Sequence, residues 1–86
     1  MPYDIYLSLD LKHTLKKLEK KDKKHYLKVE KKIEQVLENP YHYKPLKGDL
    51  SGSRRVHIGS YVLIYEINEL KTYILFLKYQ HHDKVY

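Results

Sequence analysis

Arg55 and His57 on one segment, and His82 four residues before Tyr86 on another, are the side chains of this chain best suited to chemistry. Together they are the inventory that metal-free cleavage of RNA would need. Transfer of a phosphate to the 2′-oxygen takes a base for the 2′-hydroxyl proton, a cation for the charge growing on phosphate, and an acid for the leaving 5′-oxygen. Imidazole, with an unperturbed pKa of about 6.5, serves as base or acid near neutral pH. His57 and His82 are therefore the base and acid candidates, in either order. Arg55 is the candidate phosphate clamp, because its planar fork holds two oxygens at once. Tyr86 is a candidate acid, or a platform on which a base could stack. Lys44 and Lys47 are candidate RNA contacts of the generic phosphate kind.

These residues need strands to aim them. In Arg54-Arg55-Val56-His57-Ile58, alternation sends Val56 and Ile58 to one face and Arg55 and His57 to the other. The apolar pair suits a core, so the arginine and the histidine should face an open side. Arg54 falls on the opposite side from Arg55, where a salt bridge at the sheet edge is expected. Gly59-Ser60 turns this strand into a second, Tyr61–Ile67, and Asn68-Glu69 turns that into a third over about residues 71–79.

The first half supplies the support. Tyr3 to Leu7 reads as a short strand, and Ser8 can cap the helix that follows. Leu11, Leu15 and Leu18 form one apolar stripe of a helix through about Lys20. The run from Lys20 to Lys24 reads as a turn with Asp22 as the next cap. The second helix presents Tyr26, Val29, Ile33, Val36 and Leu37 and ends at Asn39-Pro40. Residues 41–53 read as a loop punctuated by Pro45, Gly48 and Gly52. The expected fold is α+β, in the order β-α-α-β-β-β, with a helical hairpin packed on one face of an antiparallel sheet.

At 86 residues the chain is a single domain, 1–86, with a stability margin of a few kcal/mol. Three Gly, three Pro and 42% hydrophobic residues indicate a packed fold rather than disorder. Seventeen Lys and Arg against eleven Asp and Glu give a net charge of +6, which favours polyanionic partners, nucleic acid first. Solubility is the plainer reason for such a charge. The opening Met1-Pro2-Tyr3-Asp4 shows no signal-peptide pattern, and the longest apolar runs are about five residues, against roughly 20 for a membrane span. A cytoplasmic protein is expected. No cofactor or metal is expected either. There is no Cys and no His-x-x-x-His helical pair, and His81 and His82, as strand neighbours, should point to opposite faces. The glycines have no phosphate-loop spacing, and no serine or cysteine triad is visible.

The order of elements resembles the RelE/ParE toxin superfamily over nearly the whole chain. The resemblance rests on Lys44-Pro45-Leu46-Lys47-Gly48, then Arg55-Val56-His57-Ile58-Gly59, then Tyr61 and Tyr65, then His82 four before Tyr86. Such toxins cleave mRNA in the ribosomal A site or, in the ParE branch, poison DNA gyrase. A partner antitoxin silences them. The resemblance thus implies a ribosome-dependent mRNA endoribonuclease with a RelB-like antitoxin, in a complex that can be a heterotetramer. RelE-type nucleases carry two alternating basic residues on the second strand, where Arg55 and His57 stand. YafQ-type relatives carry a His on that strand and a C-terminal His four before an aromatic, which His57, His82 and Tyr86 match more closely. Their His before Pro-Leu is Lys44 here. Many members have Arg after the Tyr of the third strand, aimed at the scissile phosphate, and this chain has Val62. The resemblance then implies that Arg55 or another cation does that work, or that catalysis is weak. Two alternatives remain beside it: a ParE-like binder of gyrase without chemistry, and a decayed toxin that only binds its antitoxin.

Overall fold

Ser8 and Asp22 set the boundaries of the helical half. The Ser8 hydroxyl accepts from the Leu11 amide, 3.0 Å, and itself donates to the Leu77 carbonyl, 2.6 Å, so one side chain both caps a helix and ties it to a strand. Asp22 closes one helix through its amide, bonded to the Leu18 carbonyl, and opens the next through its carboxylate, which accepts from the His25 amide. The expected turn over residues 20–24 thereby shrinks to a single residue.

The computed structural model of the chain describes residues 3–45 and 52–84. Strand β1 (Asp4–Leu7) leads into helices α1 (Leu9–Lys21) and α2 (Lys23–Glu38). Four strands follow: β2 (Lys44–Pro45), β3 (Ser53–Ile58), β4 (Tyr61–Asn68) and β5 (Tyr73–His81), with a 3-10 turn at His82–Lys84. The sheet order is β1-β5-β4-β3-β2. Strand β1 runs parallel to β5, and every other pairing is antiparallel. The fold is α+β, with the two helices packed on one face of a mostly antiparallel five-stranded sheet.

Two elements differ from the sequence-based expectation. The segment read as a loop from 41 to 53 contains β2 and the start of β3. The last strand begins later and runs further, to His81, because Glu69–Thr72 make a longer turn. In that turn the Asn68 side chain accepts from the Lys71 amide, and Thr72 takes a positive φ of 52°. Gly59, at φ 61°, makes the β3–β4 turn, a conformation that a side chain disfavours.

The core follows from the patterns. Leu11 and Leu15 of α1 and Val29 and Val36 of α2 meet Val56, Leu63, Tyr65, Ile74, Phe76 and Tyr79 of the sheet. On the other face lies a smaller apolar floor of Val62 and Ile64, packed by Leu77. Leu77 reaches that floor because the β4–β5 register slips between Ile64 and Tyr65, a bulge.

Candidate functional site

Arg54 and Tyr65 hold the site's edge in place from the helix side. Nη1 of Arg54 donates to the Tyr43 carbonyl at 2.7 Å and reaches that of Tyr41 at 3.5 Å, while the guanidinium lies 5.0 Å from the Tyr41 ring centre. The Arg54 partners found among the described residues are therefore carbonyls and a ring, not the expected salt-bridge carboxylate. The buried Tyr65 hydroxyl donates to the Pro40 carbonyl at 2.6 Å. Burial pushes that phenol up to about 12. With residues 40–43 anchored in this way, Lys44 and Pro45 join the sheet as β2, and Lys44 lies directly opposite Arg55. Opposed side chains on antiparallel strands sit about 5 Å apart.

The open face then reads as two rows. Lys44, Arg55, Ile64 and Lys78 follow one another across four strands. The next row is His57, Val62 and Gln80. Val56 is buried beneath the helices, so Arg55 and His57 face away from them, as alternation requires. Arg55 is half-buried and His57 exposed. Lys78 and Gln80 were missed from the sequence. The signal was Tyr79, whose place in the core sends both its neighbours to the open side.

Val62 is fully buried in the apolar floor. The position where the resemblance implied an arginine in many relatives therefore serves packing here. It is flanked by His57 and Gln80 in register rather than by a cation.

His82 lies at the end of the sheet, beyond β5. Its amide donates to the Ser60 carbonyl at 2.9 Å, and its Nδ1 lies 3.2 Å from the same oxygen. Ser60 belongs to the turn that follows His57, but no direct bond joins the two imidazoles. Strand β5 stops at His81, so the expectation that His81 and His82 point to opposite faces fails. Their rings stack, with centres 4.9 Å apart. Lys47 and Tyr86 lie outside the described residues.

Beneath His81 runs a chain of rings that the sequence did not disclose. His81 meets Tyr61 edge-on, Tyr61 stacks on Tyr79, and Nε2 of His25 lies 2.6 Å from the Tyr79 hydroxyl. Burial pushes the Tyr79 phenol well above its ordinary range. His25 stands four residues before the buried Val29 on α2, and that spacing was the available signal. Asp22, Lys24, His25 and Lys28 line one wall of a shallow groove there, and Ile58–Tyr61 the other.

Among the described residues no helix is long and apolar enough to cross a membrane. A family model described as the ParE toxin of type II toxin–antitoxin systems matches residues 5–86. A protein of Methanocaldococcus jannaschii named as a toxin, RelE4, is 39% identical over 85 residues, covering 98% of this chain and 90% of that protein. The RelBE2 toxin–antitoxin complex of Mycobacterium tuberculosis contains a chain that superposes with a TM-score of 0.80 at 24% identity, covering 94% of this chain and 99% of that one. A YoeB/ParE toxin from Agrobacterium tumefaciens superposes at 0.84 and 15% identity, covering 92% and 98%. At these identities the solved structures establish the shared fold.

Proposed function

The chain belongs to the ParE toxin family of type II toxin–antitoxin systems, within the RelE/ParE superfamily, and from that premise we propose that it is a ribosome-dependent mRNA endoribonuclease. The observation that carries this reading is the open face of the sheet. Lys44 and Arg55 are set directly opposite each other, Lys78 stands in the same row, and an exposed imidazole lies one row away. A polyphosphate chain laid along the row would meet all three cations, and the phosphodiester then lies beside His57.

In this reading Arg55 spans two oxygens of the scissile phosphate and stabilises the charge that builds there. His57 and His82 take the base and acid roles, one drawing the 2′-hydroxyl proton and the other protonating the departing 5′-oxygen. The new bond joins the 2′-oxygen to phosphorus, and the bond to the 5′-oxygen breaks. Lys44 and Lys47 hold flanking phosphates, and Tyr86 donates a proton or stacks on a base. The ribosome supplies the ordered mRNA, so the protein acts in the cytoplasm. A RelB-like antitoxin silences it, in a complex that can be a heterotetramer. The antitoxin's apolar side chains fit the groove of Ile5, Leu7, Leu15, Tyr26 and Ile33 beside the exposed edge of β1.

Primer extension on a defined mRNA held on programmed ribosomes tests this reading. Cuts confined to the A-site codon are the expected result. A second reading, a ParE-like inhibitor that binds gyrase without chemistry, is favoured by the burial of the apolar Val62 on the open face, where the family resemblance implied an arginine. Protein that leaves mRNA intact but blocks DNA supercoiling by purified gyrase would replace the first reading with the second.

A further inference from the structure

The end of β5 gathers three groups that the nuclease reading does not explain together. The bond from the His82 amide to the Ser60 carbonyl ends the strand and starts the 3-10 turn, which folds Asp83 back beneath both imidazoles. His82 Nδ1 also lies 3.2 Å from that carbonyl oxygen. A carbonyl only accepts, so Nδ1 is the nitrogen that donates there, which leaves Nε2 for a second partner. Nε2 lies 3.0 Å from Asp83 Oδ1. On the other ring, Nδ1 of His81 lies 3.4 Å from the Asp83 amide nitrogen and 3.5 Å from Asp83 Oδ2.

A ring nitrogen and a carboxylate oxygen at these distances are held by a cation between them, either a ring proton, as in an ion pair, or a metal ion in its place. The donor atoms of His81, His82 and Asp83 all lie within 4.8 Å of one another. Two ligands on a tetrahedral zinc ion, each at about 2.0–2.1 Å, stand roughly 3.3 Å apart, close to the spacings on either side of Asp83. A ligating imidazole commonly donates its other N–H to a carbonyl, which orients the ring and raises its basicity. Ser60 already provides that carbonyl for His82. Tyr61 fixes the other ring by its edge contact, 5.5 Å between centres.

We propose that His81, His82 and Asp83 form a binding site for a transition-metal ion of the zinc class. Two neutral imidazoles and one carboxylate suit zinc, nickel or copper better than magnesium or calcium. With three protein ligands on an exposed turn, a coordination position stays open to water, so the ion exchanges with solvent rather than building the fold. The proposal shares His82 with the nuclease reading but does not depend on it.

Zinc sulfate titrated calorimetrically into the full-length protein tests the proposal without RNA. Binding of one ion per chain is expected, weakened at least tenfold by His81→Ala and by Asp83→Asn, and unchanged by His13→Ala on α1. Melting curves of the metal-free variants that match the parent show that the loss is not one of folding. Wild-type affinity in both His81→Ala and Asp83→Asn, or no zinc binding by the parent, would overturn the site. Cleavage assays read the nuclease hypothesis separately, so either idea can fail alone.

Discussion

Toward the helices the sheet presents Val56, Leu63, Tyr65, Ile74, Phe76 and Tyr79, all buried. Away from them it presents Lys44, Arg55, His57 and Lys78 around the small floor of Val62, Ile64 and Leu77. The same strands write both faces, one residue out of step. On the first face every side chain gains from leaving water, and its shape is fixed by close packing. On the second, Lys44 stands directly opposite Arg55 and Lys78 lies in the same row. In the proposed function that row of cations serves a negatively charged partner rather than the core. The contrast teaches where substitutions should strike: the helix face should govern stability, and the open face should govern what the protein does.

The largest effect belongs to the helix face. Phe76→Ala should cost about 3–5 kcal/mol, most of the margin of a domain this small. Urea denaturation should show the midpoint collapse, and a loss below about 1 kcal/mol would erase the distinction between the faces. Next in size, Arg55→Ala should lower RNA cleavage on the order of a hundredfold or more while the protein stays folded. If cleavage and melting temperature fell together, the open face would be structural after all.

Tyr65→Phe should be milder, about 1 kcal/mol, from the lost bond to the Pro40 carbonyl. It carries a pH signature as well. The folded phenol is pushed up to about 12, against about 10 in the unfolded chain. The neutral phenol is thus favoured by folding, and its stabilisation is complete below pH 10 and lost as the pH rises through 12. Denaturation at pH 9 and at pH 11.5 should show this drop in the parent and a smaller one in the variant. Lys44→Ala, at an exposed position, should have the smallest effect on stability, within about 0.5 kcal/mol of the parent. Affinity for single-stranded RNA should fall, with its logarithmic salt slope shallower by about 0.7.

Much of this arrangement was legible in the residues. Ser8, Asp22 and Gly59 announce their boundaries through local chemistry, and the leucine stripe of α1 names its buried face. The sidedness of Arg55 and His57 followed from Val56 and Ile58 alone. What escaped depends on contacts distant in sequence. Strand β2 is two residues long, too short to show alternation, and exists because Arg54 and Tyr65 anchor the chain before it. The parallel pairing of β1 joins Asp4 to Tyr73, which no local pattern encodes. His82 leaves its strand because a carbonyl across the β3–β4 turn captures its amide, so the rule of alternation gave the wrong faces for His81 and His82. Nothing local sets His25 apart from the lysines around it on α2, because its partner, Tyr79, lies 54 residues on in the sequence.

The most direct test of the central claim compares the parent with His57→Ala, matched for melting temperature, on the same programmed ribosomes by primer extension. Cuts at the A-site codon by the parent, and a loss of at least a hundredfold in the variant, would establish the open face as the chemical one. Undiminished cutting by the variant would mean that the chemistry lies elsewhere on the molecule.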